Sequence, residues 1–336
     1  MRFSVPKLVV IVVICHWLSG CYYWQAAQGQ WSLSRARVPV DVVVADAKTD
    51  DTSRRKLSLA REALEFAHRE LKLPDNGSYK DYVALDRDYV VVNVFAAAEF
   101  SLAPKTWCYP IAGCLAYRGY FDAEDAAKKA TRMREQGYDV MTGKVPAYST
   151  LGRFRDPIVS TMLSRSDDGL VSLLFHELAH QVVYVQDDTA FNESFASAVA
   201  EIGLARWRDA GNPVADIDHD KRRRIRQRLF ELLAELRSDL SMIYEMTASV
   251  DEKRRKKQAR FDALASAWRA TGATSRPPVN NAALVPLALY NDLTPAFVQL
   301  YEQSGRDMGV FLEAVQQLAA RPKAERDQVL TDLAEP

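Results

Sequence analysis

Histidine is scarce in this chain, with five among 336 residues, so few places can bring two imidazoles together. Cysteine is scarcer still, at four. Neither sign of charge is in excess: 44 basic residues face 44 acidic ones. That balance removes the case for a nucleic-acid partner and for a wholly cationic membrane-binding surface. The aliphatic run from Leu8 to Ile14 is short, well under the roughly 20 residues a spanning helix needs. What is left is an ordinary globular composition, long enough for one large or two modest domains with a real core.

The first residues carry a distinct pattern. Met1-Arg2 and Lys7 flank the start of the apolar run, and Leu18-Ser19-Gly20-Cys21 closes it. A basic start, a short apolar stretch and small residues before a cysteine read as a secretory signal over 1–20; the alternative is an uncleaved anchor helix. The last four residues resemble the bacterial lipobox, in which the cysteine is acylated and the chain is cut before it. On that reading Cys21 is the lipidation site and the membrane is a partner through the lipid anchor. Tyr22 follows it in place of an aspartate, so the expected location is the periplasm-facing side of the outer membrane. Residues 21–52 then form the lipidated tether and N-terminal segment. With Cys15 in the signal and Cys21 lipidated, Cys108 and Cys114 remain, separated by a Pro110- and Gly113-bearing loop. In an oxidising compartment they are expected to form a disulfide; a pair of metal ligands is the alternative, without a histidine nearby.

Periodicity supplies the elements. Leu57, Ala60, Leu64, Ala67 and Leu71 recur at helical spacing over 53–73, and Pro74-Asp75-Asn76-Gly77 stops that helix. Three strands are expected over 89–95, 115–121 and 140–148. Asp122 caps a helix that Gly137 ends, and Asp156-Pro157 is expected to open another. Ala147 to Gly152 is a candidate edge strand able to hold an extended peptide, or equally a plain internal strand. Beyond residue 192 the pattern is helical. Leu229, Leu232, Leu236 and Leu240, then Phe261, Leu264 and Trp268, suggest a long helical hairpin over 216–270, followed by further helices. Its basic clusters, 221–224 and 253–257, read as a solvated face.

The chemistry concentrates in Phe175-His176-Glu177-Leu178-Ala179-His180 and in Asn192-Glu193-Ser194-Phe195-Ala196. His176 and His180 are four apart, so on a helix their rings project from one face, one turn apart. The surrounding Leu170, Val171, Leu174, Phe175, Leu178 and Val182 make that helix buried. Two imidazoles on a buried helix need partners, and one zinc ion satisfies both. Catalytic zinc takes three protein ligands and leaves a position for water. A metzincin needs glycine at 183 and histidine at 186, where this chain has Val183 and Gln186. A glutamate on the following helix is the other common solution, and Glu193 fits, with Glu201 as its rival. Asp187 and Asp188 are loop caps or partners of the histidines. Glu177 is placed to take a proton from water and deliver it to a leaving amine. An oxyanion donor is sought among Tyr148, Tyr117, Arg118 and Tyr290, with Tyr148 favoured. His68 and His219 read as packed or surface histidines.

These stretches, together with Tyr22-Tyr23, Gln28-Gly29-Gln30, Ser78-Tyr79, 98–102, 107–121 and 147–152, resemble a bacterial family of predicted aminopeptidases, a zinc-dependent, gluzincin-like group. The resemblance implies one zinc ion at His176, His180 and Glu193, catalysis by Glu177, and removal of amino-terminal residues from a peptide or protein substrate. The Gly-x-Met-Glu-Asn segment that holds the substrate amine in alanyl aminopeptidases does not occur. An endopeptidase, or a non-enzymatic envelope lipoprotein binding a partner through its hairpin, are the alternatives. The expected architecture is α+β and predominantly helical: a small mixed sheet packed on a zincin-type helix in a core over 53–210, then a helical region over 211–336.

Overall fold

The computed structural model describes residues 22, 24–109, 113–147, 155–212, 219–288 and 293–334. The chain opens with helix α1 (24–35), then β1 (Val38–Pro39), α2 (Val40–Ala45) and α3 (Asp51–Glu70). Strands β2 (Asp81–Val83), β3 (Val91–Ala98), β4 (Trp107–Tyr109), β5 (Gly113–Leu115) and β6 (Tyr117–Tyr120) follow, then α4 (Ala123–Glu135), β7 (Tyr138–Val145) and β8 (Ile158–Val159). Helices complete the chain: α5 (Asp167–Ala179), α6 (Thr189–Asp209), α7 (His219–Glu245), α8 (Val250–Ala270), α9 (Asn281–Ala288), α10 (Thr294–Gln303), α11 (Met308–Ala319) and α12 (Lys323–Ala334).

Among the described residues the fold is thus mainly helical with three small sheets. β3 lies between β6 and β7, antiparallel to both. Its alternate residues Val92, Val94 and Ala96 share a cluster with Ala126, Ala130 and Met133 of α4, while Phe95 and Ala97 join Ala282 and Val285 of α9. A period of two thus gives each face of the strand its own helix. Mixed pairing is confined to the second sheet, where β2 pairs antiparallel with β1 and parallel with β8. The third is the β4–β5 hairpin, bridged by Cys108 and Cys114.

The expected helix at Asp156-Pro157 is absent. Ile158 and Val159 are instead buried strand residues beside β2, and the Asp156 carbonyl accepts from the Tyr79 amide at 2.5 Å. A β-branched pair beside a strand partner outweighs a local Asp-Pro start signal. The helix begins eleven residues later, where the Ser166 side chain accepts from the Gly169 amide and Asp167 and Asp168 lie in the first turn. Strand limits shift too: the expected 89–95 strand runs from Val91 to Ala98, and the expected 140–148 strand from Tyr138 to Val145.

One core cluster joins α3, α5 and α6 to the C-terminal helices, from Leu33 to Leu330. A separate cluster holds the α7–α8 hairpin together through Leu232, Leu236, Leu240, Phe261, Leu264 and Trp268. Lys257 fastens this hairpin to the sheet, donating to Asp139 at 2.6 Å and to the Glu99 carbonyl at 2.7 Å. Among the described residues no helix is long and apolar enough to cross a membrane.

Candidate metal centre

Helix α5 is held by what it buries. Leu170, Val171, Leu174, Phe175 and Leu178 have no solvent exposure, and each such burial contributes about 1.5–3 kcal/mol. The remaining stripe carries His176 and Glu177, both half-buried, and His180 follows as the C-cap. Helix α6 runs back along α5: Arg208, near its end, donates to Asp168 at the start of α5 at 3.3 Å, while its first turns face the histidines.

Close approach of the two helices depends on small residues. A Cβ added at Gly203 would lie 2.7 Å from Leu71 Cδ1 and 2.7 Å from Phe175 Cδ2. Both neighbours are fully buried and have no room to swing. Gly203→Val is expected to destabilise the protein by about 1–3 kcal/mol through overpacking, read as a lowered urea midpoint; an unchanged midpoint would show that the helices can part without cost.

At the other end of the pair, His176 Nε2 and His180 Nε2 lie 3.2 Å apart. The Glu193 carboxylate reaches His176 Nε2 at 3.4 Å and His180 Nε2 at 3.7 Å. One donor atom from each of the three residues falls within 4.8 Å of the others. The fit to a cation can be tested on this geometry. Two nitrogens each about 2.0–2.1 Å from one tetrahedral ion lie about 3.3 Å apart, close to the separation observed. The same separation suits a hydrogen bond in which one ring donates and the other accepts, and a cation would take both lone pairs in its place. The donor set of two imidazoles and one carboxylate suits zinc, so the three residues could hold one such ion.

Electrostatics point the same way. Burial, and then the neighbouring His176, push His180 down to about 4, leaving a neutral ring with a lone pair to offer. Burial also opposes charge on His176, but the bond to Glu193 and the Glu177 and Glu193 carboxylates outweigh it and raise the imidazole above its ordinary value. Burial works against the Glu193 carboxylate as well, yet His176 and His180 hold it below the usual glutamate range.

The loop between the two helices is fixed by a residue whose role the sequence reading missed. The Val185 amide donates to Asn192 Oδ1 at 2.8 Å, and Asn192 Nδ2 donates to the Val185 carbonyl at 2.7 Å. This two-way bond sets the first turn of α6 and with it Glu193. An asparagine just before Glu193 was the only local signal for it.

The other expected site residues separate cleanly. Glu201 is exposed and does not join the three donors. Asp187 and Asp188 do not serve the histidines. Asp188 accepts from Arg326 at 2.7 Å and from the Phe191 amide at 3.4 Å, capping α6. Asp187 has a φ of 60° and accepts from the Cys114 amide at 3.4 Å. The disulfide hairpin therefore rests on the loop that joins α5 and α6. His68 lies against the Leu73 carbonyl at 3.1 Å, as a packed histidine would. Tyr117 packs on Phe95, and Arg118 lies over the Tyr22 ring at 3.8 Å. Tyr148, Tyr290, Cys21 and most of the expected edge strand over 147–152 lie outside the described residues, as does the His219 side chain. A groove of about 730 Å³ lined by Phe66, Arg69, Arg206 and Trp207 sits at the far end of α6 from Glu193 and includes none of the three donors.

The family model described as Putative aminopeptidase matches residues 21–330. The chain belongs to the Putative aminopeptidase family. The match takes in the three donors, Glu177, the disulfide hairpin and the C-terminal helices as far as residue 330, so it is not confined to one short motif. The family's name points to peptide hydrolysis. No curated protein and no solved structure matches the chain.

Proposed function

We propose that the protein is a zinc-dependent peptidase, with aminopeptidase action preferred over endopeptidase action, tethered in the bacterial envelope by lipid on Cys21. The observation that carries the catalytic reading is the convergence of His176 Nε2, His180 Nε2 and the Glu193 carboxylate, with Glu177 next to His176 on the same helix. A zinc ion held by these residues supplies Lewis acidity and makes water acidic near neutral pH.

The chain's own residues do the rest. His180, neutral and almost fully buried, offers its lone pair without first losing a proton. Glu193 contributes negative charge from a helix start fixed by Asn192 and Asp188. Glu177 lies outside the three-donor set and close enough for its charge to act on His176. There it takes the proton of the attacking water and passes it to the leaving amine, a shuttle that suits a half-buried carboxylate. Tyr148, by residue type and by its place in the 147–152 segment, is assigned as donor to the developing oxyanion.

The test is to purify the full chain, measure its metal content and profile it against a peptide library in free and amino-blocked forms. We expect one zinc per chain, hydrolysis that a chelator removes and zinc restores, and cleavage of free but not amino-blocked peptides. Equal cleavage of blocked peptides would move the assignment to an endopeptidase. A zinc-loaded chain that cleaves nothing would overturn the peptidase reading and favour a lipoprotein that binds a partner through α7 and α8.

A further inference from the structure

Among the described residues nothing covers a stripe of helix α1 that carries two tryptophans. Trp24 and Trp31 are 67% and 64% exposed, the most exposed large aromatic side chains among the described residues. They are seven residues apart, hence about 20° from the same helical face and about 10 Å apart along the axis. Gln28 is exposed between them, and Arg35 lies one turn beyond with its guanidinium 5.5 Å from the Trp31 ring.

The opposite face of α1 is locked down. A Cβ at Gly29 would fall 2.1 Å from the Phe121 ring, so only glycine lets the helix sit this close to the sheet. Gln25 Oε1 accepts from the Phe121 amide at 3.1 Å, and Leu33 is 3% exposed in the main core. The start of the helix is fastened as well. Tyr22 stacks on Tyr109 at 5.7 Å, meets Tyr120 edge-on at 5.6 Å and has Arg118 over its ring at 3.8 Å. The tryptophans are therefore displayed by a rigid mount.

We infer that α1 is an interfacial helix, with Trp24 and Trp31 seated at the headgroup level of the bilayer and Arg35 beside them for lipid phosphate. The inference rests on the proposed lipid tether at Cys21. Trp24 is three Cα–Cα steps from Cys21, a reach of at most about 11 Å, so an acylated Cys21 brings Trp24 to the membrane surface. Tryptophan and arginine on one exposed stripe have the amphipathic character that the interface selects. The same mount also orients the site. Tyr22 packs on Tyr109 of the β4–β5 hairpin, and the Cys114 amide of that hairpin donates to Asp187 in the loop between the two ligand helices. A short rigid path thus runs from the membrane face to the metal centre, and the site is held at a fixed height above the lipid.

Brominated-lipid quenching tests this directly. Five tryptophans follow Cys21, and Trp107, Trp207 and Trp268 are at most 9% exposed and out of reach of lipid. The full chain, purified from membranes, is reconstituted in phosphatidylethanolamine–phosphatidylglycerol vesicles with and without brominated acyl chains. The emission of two of the five tryptophans is expected to be lost in brominated vesicles. Trp24→Ser/Trp31→Ser is expected to lose that quenching while cleaving soluble peptides as the parent does. Equal emission in both kinds of vesicle would overturn the inference and leave the stripe as a site for a protein partner. Quenching that persists in the double variant would overturn it too. Mass spectrometry of the N-terminal peptide reports acylation of Cys21 separately. An acylated chain whose tryptophans escape bromine refutes the interfacial helix while the tether stands, and a non-acylated chain that is quenched refutes the tether alone.

Discussion

Replacing Glu177 with glutamine is expected to lower kcat for peptide hydrolysis by about 10²–10⁴-fold, the range of positioned acid–base catalysis, with zinc content unchanged. The reason is the division of labour around α5. His176, His180 and Glu193 supply the converging donor atoms, whereas Glu177 is outside that set. Glutamine keeps the size and hydrogen-bonding reach of glutamate but removes its charge, which also acts on His176, and with it the ability to take a proton. KM should move little, because the lost interaction acts on proton transfer rather than on substrate binding. His180→Ala is the contrasting variant: it removes a donor whose side chain is 8% exposed, so metal and activity should fall together. Metal analysis beside steady-state kinetics on both variants checks this. A Glu177→Gln enzyme as active as the parent would refute the assigned role.

Arg326→Met is expected to destabilise the fold by about 3–5 kcal/mol at pH 7, the cost of leaving a buried charge without its partner. Asp188 and Arg326 have side chains 6% and 8% exposed and meet at 2.7 Å, and Lys323 approaches the same carboxylate at 3.4 Å. Burial works against the Asp188 carboxylate, but Arg326, the Phe191 amide and Lys323 outweigh it and hold its pKa below the ordinary value of 3.8. A depressed folded-state pKa adds stability that is complete above the unfolded value and fades as pH falls through the folded one. The gap between parent and Arg326→Met should therefore be constant above about pH 5 and shrink below about pH 4. Urea unfolding across pH 3–8 reads both. Asp188→Asn/Arg326→Met, which removes both charges, should recover part of the loss. A gap that widens in acid would show that Asp188 is not the group responsible. Because Asp188 caps α6, the single variant should also weaken metal retention at Glu193.

The site was legible in the sequence where its information is local. His176, Glu177 and His180 lie within one helical turn of each other, so a spacing rule suffices to put them on one face. Glu193 was reachable because only twelve residues, with one polar break among them, separate it from His180. The Cys108–Cys114 bridge was reachable from the six-residue spacing and the expectation of an oxidising compartment. Roles that depend on distant residues were not legible. The partner of Asp188 is 138 residues away at Arg326, and that of Asp187 is 73 residues away at Cys114. No periodicity or spacing rule links such positions, so both aspartates read equally well as partners of the histidines. The false helix at Asp156-Pro157 fails for the same reason. Its neighbours Ile158 and Val159 take strand geometry only because β2, some 75 residues earlier, offers a parallel edge.

By itself the sequence determined which residues could carry the chemistry, that they would share a helix face, and that the chain would be mainly helical. Those properties follow from intervals of three, four and two residues, which the backbone geometry of helices and strands converts directly into faces. Only the tertiary structure decided that α6 returns along α5 closely enough to bring Glu193 to the histidines, an approach that Gly203 permits and Asn192 and Asp188 steer. Only it decided that α10–α12 join the core of α5 and α6 through Phe297, Phe311 and Leu330. It also decided that Trp24 and Trp31 stay outside while Gly29 locks their helix to the sheet. Each of these depends on which distant surfaces can be buried together, and that is a property of the packed chain rather than of any stretch of it.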